Sequence, residues 1–284
     1  MSKKVCCALV IYLLFIFAFI PNSAALEESG AKDGFLLLGQ NDLVGISFWI
    51  ATAAMLSSSI FFLIERGSVA PQWRTSMTIA TLITGVAFWH YMYMREHWIL
   101  TGESPIVYRY VDWFITVPLQ IVEFYFILAA VTVVTAMLFW RLLTASILML
   151  LFGFLGETGM VGGSALIWWL LGTVCWLYII YEIFRGEAAI LNKESKNEAG
   201  QMGFAALKWI VTIGWAIYPI GYLYGLEETT ILGVRITNTA YSLELINIIY
   251  NLADLVNKTA FGIAIWLAAK KDSQDAQERR SFML

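Results

Sequence analysis

Apolar residues along this chain come in seven long unbroken runs, not in alternation with polar ones. From Asp42 onward the runs cover 43–65, 74–95, 106–129, 136–156, 162–185, 202–225 and 240–269. Each lies near the ~20 residues that a helix needs to cross a bilayer. Turn-forming residues fill the gaps: Gly67 with Pro71, Gly102 with Pro105, Gly156 with Gly162 and Gly163, and a polar run over 186–201. Membrane strands would alternate apolar and polar positions over about ten residues, which these runs do not do. The pattern predicts an all-α membrane protein built as a bundle of seven transmembrane helices.

Composition agrees. Only 14% of residues are charged and 60% are hydrophobic, where a soluble domain averages about 25% charged. The mean hydropathy is +0.71. A net charge of −3 with no basic cluster gives nucleic acid nothing to bind.

The ends read separately. Residues 1–25 have the form of a cleavable signal peptide: Lys3 and Lys4, an apolar run from Val5 to Ile20, then a small-residue exit in which Ser23 and Ala25 take the specificity positions. An uncleaved extra helix is the competing reading, disfavoured by the short run and polar exit. With Cys6 and Cys7 inside this segment, only Cys175 is left, too few for a disulfide framework or a metal site. Residues 26–41 form an outer lead-in, 42–271 the single bundle domain, and 272–284 a cytoplasmic tail too short to fold alone.

Lys and Arg set the orientation. Alternate loops place Arg66, Arg74, Arg141, Arg185, Lys193, Lys196, Lys208, Lys270, Lys271, Arg279 and Arg280 on one side, against Lys32, Arg95 and Arg235 on the other. The crowded side is therefore cytoplasmic and the N-terminus faces outward, as a cleaved signal requires. The expected location is the cell inner (plasma) membrane.

Against this background the stretch "RYVDWFITVPLQIVEFY" (109–125) stands out, because it carries Arg109, Asp112, Gln120 and Glu123 through an apolar span. A charged side chain at the bilayer centre costs at least ~2.5 kcal/mol. Of nine lysines, only Lys258 lies deep in a span. A lone ammonium there needs a reason to stay charged; an imine formed with an aldehyde supplies one. Asp254 sits one helical turn before it, and Glu244, Asn247, Asn251, Asp254 and Lys258 fall within an ~80° arc. Arg109, Asp112, Thr116, Gln120 and Glu123 make a similar stripe, with Asp112 and Glu123 eleven residues, or ~16 Å, apart. Asp112 lies toward the outside, Glu123 toward the cytoplasm and Lys258 between them in depth. A carboxylate beside the cation can accept its proton, and a carboxyl in the dry inner half stays protonated and ready to donate. These groups read as stations of a proton relay, with Arg109 polarising the exit. Buried ion pairs that merely fix helix register are the bland alternative, but five ionisable groups on two inward stripes favour transport.

The blocks "FWHYMYMR" (88–95), "RYVDWFITVPLQIVEFY" (109–125), "GWAIYPIGY" (214–222) and "IYNLADLVNK" (249–258) resemble the microbial rhodopsins over residues 40–271, and among them the proteorhodopsins. The resemblance implies all-trans retinal on Lys258 as a protonated Schiff base. It implies Asp112 as counterion and proton acceptor, Asp254 as second counterion, Glu123 as cytoplasmic donor and Thr116 between them. His90 would pair with the counterion and make pumping depend on external pH. Matched positions propose Trp113, Trp215, Tyr218, Pro219 and Tyr222 as the retinal pocket, although membrane aromatics more often simply pack. Pro118 and Pro219 should loosen their helices. Gln120 holds the family's colour position, where Gln accompanies blue and Leu green absorption. Trp49 matches a position that faces a neighbouring protomer near His90, which implies a ring of five or six copies.

The function expected is thus a light-driven outward proton pump, an ion transporter and not an enzyme. Its partners would be lipid and further copies of itself, with no soluble substrate beyond protons. A slow-cycling blue-light photosensor with the same pigment is the main rival. An unrelated seven-helix receptor is the third reading, which would stay colourless with retinal. Glu157 and Glu244 could aid proton release or could simply be solvated, His97 is placed in an outer loop without a role, and 225–242 could form a hairpin or cap an oligomer contact.

Overall fold

The computed structural model describes residues 38, 39, 41–226, 228–231, 234–237 and 240–282. The expected signal peptide, with Cys6 and Cys7, and nearly all of the lead-in lie outside the described residues.

Seven helical spans follow in order. The first, Leu43–Glu65, starts at Asp42, whose carboxylate accepts the Gly45 amide at 2.8 Å. An aspartate at this position satisfies one of the free N–H groups of the first turn. The same carboxylate takes the Trp98 indole N–H at 3.1 Å, tying the start of span one to the end of span two. Two 3-10 turns, Arg66–Ser68 and Pro71–Trp73, lead into span two, Arg74–Thr101. This span runs six residues past its predicted end and stops at Gly102, where the backbone turns left-handed at φ 69°. His97 therefore sits on the last turns of a helix, against Tyr108, and not in a loop.

Span three, Ile106–Val131, contains Pro118, and span four, Ala136–Thr158, ends at Gly159 with φ 62°. Span five is Ala165–Phe184. The predicted polar connection after it contains a short helix, Glu187–Glu194, with an acidic residue in its first turn and a lysine in its last. These signs suit the helix dipole. Span six is broken: Glu198–Trp209 passes into a π-helical stretch, Ile210–Gly214, and resumes as Ile217–Gly225. The long connection after it holds a hairpin of β1 (Glu228–Ile231) and β2 (Val234–Thr237), antiparallel with Ile231 opposite Val234. Span seven, Ala240–Phe282, is 43 residues long. The expected tail is thus mostly its continuation.

Among the described residues six spans are long and apolar enough to cross a membrane. Span two has the length, 28 residues, but trades aliphatic positions for Thr, Ser and His. The burial pattern is the reverse of a water-soluble protein. Val174, Ile213 and Ile220 are each about 60% exposed or more, while Arg109, Asp112, Glu123, Asp254 and Lys258 are nearly or fully enclosed. Large exposed apolar patches mark a surface that meets something other than water. Close helix approach depends on small residues: a Cβ on Gly262 would lie 2.3 Å from the Phe62 ring.

At the end expected to face the cytoplasm, the buried Asp272 gathers three side chains from two other segments. Its carboxylate accepts Trp73 Nε1 at 2.9 Å, Gln72 Nε2 at 3.2 Å and Asn197 Nδ2 at 2.8 Å. Asn197 also caps span six by accepting the Gly200 amide. Nearby, Arg141 on span four joins Glu182 on span five at 3.2 Å and also pairs with Glu187.

Candidate functional site

The two inward stripes meet at Lys258. Its Nζ lies 2.5 Å from Asp112 Oδ2 on span three and 2.9 Å from Asp254 Oδ2 one turn earlier on its own helix. A buried ammonium held between two buried carboxylates is paired on both sides, the condition under which such charges persist in a dry interior.

The two acids are not equivalent. Asp254 is crowded with donors: Tyr91 Oη at 2.8 Å, Tyr218 Oη at 2.5 Å and Trp113 Nε1 at 3.2 Å, besides Lys258. Asp112 has only Lys258 as a hydrogen-bond donor, its Oδ1 has no hydrogen bond, and His90 Nδ1 stands 3.7 Å from that oxygen. His90 Nδ1 also lies 3.0 Å from the Val86 carbonyl. Asp254 is thus saturated with donors, whereas Asp112 keeps one oxygen free of protein donors.

One turn before Asp112 on span three, Arg109 donates through Nη2 to Asn247 at 2.9 Å and Asn251 at 2.8 Å. It is stacked near Phe48 and Tyr250 and makes no hydrogen bond to Asp112. Asn247 and Asn251 belong to the predicted stripe of span seven, but Glu244 does not reach the site; it is exposed. On span three the Thr116 hydroxyl donates to the Asp112 carbonyl at 3.0 Å. Further along the same helix, Glu123 is fully buried, and the Ser76 side chain of span two is the polar group beside its carboxyl.

A cavity runs from Lys258 and Asp254 toward span five. Trp113, Gln120, Trp215, Tyr218, Pro219 and Tyr222, all read from the sequence as pocket residues, line it. Gln120 Nε2 is buried there without a partner. The Trp113 and Tyr218 rings meet edge to face at 5.1 Å. Sequence reasoning missed Trp169, Gly172 and Trp176 on span five and Tyr250 on span seven, which line it too. For Trp169, Gly172 and Trp176, the spacing of three, four and seven along one helix face was the available signal. Glu157, left undecided from sequence, sits in this lining and in that of a second hollow further out, beside Ser104, Arg109 and Tyr250. Trp49 is 44% exposed, with the Arg95 guanidinium 4.2 Å over its ring. Among the described residues no group of His, Cys, Asp or Glu has the arrangement of a metal site.

Comparison with known proteins agrees with this architecture. The family described as "Bacteriorhodopsin-like protein" matches residues 42–272. The green-light absorbing proteorhodopsin of Gamma-proteobacterium EBAC31A08 is 46% identical, over 84% of this chain and 91% of its own length. The blue-light absorbing proteorhodopsin of Gamma-proteobacterium Hot 75m4 is 45% identical, over 92% of this chain and 99% of its own. The crystal structure of a blue light-absorbing proteorhodopsin from Med12 superposes with a TM-score of 0.66 at 54% identity, covering 81% of this chain and all of that one. With its helical spans, its inward charges and a match that covers nearly the whole bundle, this multi-pass membrane protein belongs to the bacteriorhodopsin-like family.

Proposed function

We propose that the chain is a light-driven outward proton pump with all-trans retinal bound through Lys258. The observation that carries this reading is the placing of one buried amine between a donor-saturated acid, Asp254, and a nearly bare one, Asp112, with an isolated carboxyl, Glu123, deeper in the same helix.

The residues present suit the pigment. The cavity is an apolar slot whose lining includes Trp113, Trp215 and the Lys258 side chain, a primary amine that can condense with an aldehyde. Retinal there would supply visible absorption and a light-driven change in the direction and proton affinity of the Lys258 nitrogen. Asp112 takes the proton, because it has the free lone pair. Asp254 stays ionised under its three neutral donors and keeps the site negative. Protons leave outward past Arg109 and Glu157, which share the outer hollow. Glu123 returns a proton from the inner side, and Thr116 fixes the backbone carbonyl of Asp112 between the two acids. His90 stands beside the acceptor, with Nδ1 3.7 Å from its second oxygen. Moving one charge against 100 mV costs ~2.3 kcal/mol, far below the energy of a visible photon.

Gln120 supports a blue-absorbing pigment: its unpaired amide lies in the slot with Lys258. The bundle would sit in the cell inner membrane with its N-terminus outside, following the Lys and Arg asymmetry, and Trp49 with Arg95 would face a neighbour in a ring of five or six.

Expression with all-trans retinal, followed by a light-induced pH trace and flash photolysis, tests the function. External acidification that a protonophore and Asp112→Asn both abolish supports the pump. A cycle of seconds with little net proton movement would replace it with a photosensor, and a colourless product would remove both.

A further inference from the structure

Span six loses its regular ladder beside the site. The Trp215 amide bonds five residues back to Ile210 at 3.2 Å, and the Tyr218 amide bonds three back to Trp215 at 3.1 Å. Pro219 has no N–H with which to claim the Trp215 carbonyl, so Tyr218 takes it. The regular partner of the Gly214 carbonyl, the Tyr218 amide, is thereby withdrawn. A carbonyl left without a donor within a membrane span is costly.

The missing donor comes from another helix. Asn257, buried on span seven next to Lys258, gives Nδ2 to the Gly214 carbonyl at 3.1 Å and to Tyr218 Oη at 3.2 Å. Both partners accept: Tyr218 spends its own proton on Asp254 at 2.5 Å. The approach requires glycine, since a Cβ at position 214 would lie 2.1 Å from Asn257 Oδ1. A continuous chain of hydrogen bonds therefore links the irregular turn of span six to Asn257, Tyr218, Asp254 and Lys258.

We propose that Asn257 is a positioning residue that couples the break in span six to the charge state of the Lys258–Asp254 pair. While Lys258 is paired, Asp254 and Tyr218 hold Asn257 on the Gly214 carbonyl, and the break is pinned. When the nitrogen gives its proton to Asp112, Asp254 loses its cation, the chain slackens and the break is freed. Above the break, the inner half of span six covers the neighbourhood of Glu123, with Phe204 packed edge to face on Phe124 at 5.0 Å. A freed break lets that cover lift, so that Glu123 is recharged only after Asp112 has been loaded.

The role in pumping rests on the function proposed above, but the link itself does not. The test compares wild type, Asn257→Ala, Asn257→Leu, Gly214→Ala and the Asn257→Ala/Gly214→Ala double variant as full chains. Without retinal, amide hydrogen exchange over 210–218 should rise about fivefold or more in every variant, with the double no worse than Asn257→Ala alone, because both changes cut one link. Leu keeps the bulk of Asn but cannot donate, so a wild-type result for Asn257→Leu would reduce the residue to packing and overturn the proposal. With retinal, recovery after a flash should change severalfold in the same variants. Strictly additive effects of the two substitutions, or unchanged exchange in Asn257→Ala, would overturn it as well. Altered exchange in a protein that does not pump would retain the link and remove only its use.

Discussion

Asp112 and Lys258 lie 146 positions apart in the chain and 2.5 Å apart in the bundle, and the second oxygen of Asp112 has no hydrogen bond at all. In the proposed cycle, the acid has capacity left for one proton at the moment the amine must lose one. Asp112→Asn should abolish light-driven external acidification. It should also move the absorption maximum to longer wavelength, since a lost negative charge beside the cation narrows the excitation gap. A pH trace and a visible spectrum on the same membranes check both.

Glu123 is fully buried, with the Ser76 side chain as its polar neighbour. Glu123→Gln preserves its shape and removes its proton. The first release to the outside should survive, while recovery of the resting pigment slows by on the order of a hundredfold, the usual worth of a positioned acid. Time-resolved absorption with a pH-sensitive dye separates the two steps.

Gln120 lines the slot with an amide that finds no partner. Gln120→Leu should shift absorption toward green with little change in protein yield. An unmoved maximum would place the colour control elsewhere.

Asp272 gathers Trp73, Gln72 and Asn197 from two other segments. Hydrogen bonds to a charged acceptor are worth ~1.5–3 kcal/mol each and do not add fully. Asp272→Ala should therefore lower unfolding stability by about 3 kcal/mol in detergent titration, without moving the absorption maximum.

Gly262 lets spans one and seven close on Phe62. Gly262→Ala should destabilise the bundle by ~1–3 kcal/mol through overpacking. Phe62→Leu in the same chain should recover part of the loss; thermal unfolding of the single and double variants decides it.

The site was legible where its logic is linear. Asp254 and Lys258 are four apart on one helix, and any reader of helical spacing pairs them. The meeting of Asp112 with Lys258 was legible only as two stripes that both face inward, because no local rule fixes which span lies against which. Tyr91, Trp113 and Tyr218 converge on Asp254 from three helices, and nothing in an aromatic residue's sequence neighbourhood declares the acid it will serve. Glu244 shares the angular arc of span seven but lies near its outer end, where the neighbouring helices no longer cover it; angle alone misled. Pro219 announced a weakened helix, yet the irregularity spreads back to Ile210, because the displaced bonds run five and three residues instead of four. Span two and span seven both outran their apolar patterns: hydrophobicity marks where lipid ends, whereas Gly102 and bonds such as those of Asp272 decide where the helix ends.

The length of span seven has a mechanical consequence. Forty-three residues make a rod of ~64 Å, about twice the ~30 Å of hydrocarbon it crosses. Its Ser273 hydroxyl still holds the Ala70 amide at 2.8 Å; beyond it the helix continues to Phe282, a further ~14 Å of rise. The protein thereby carries a stiff mast, and a fluorophore or fusion partner set at its tip would report tilting of this one helix with the leverage of a long arm.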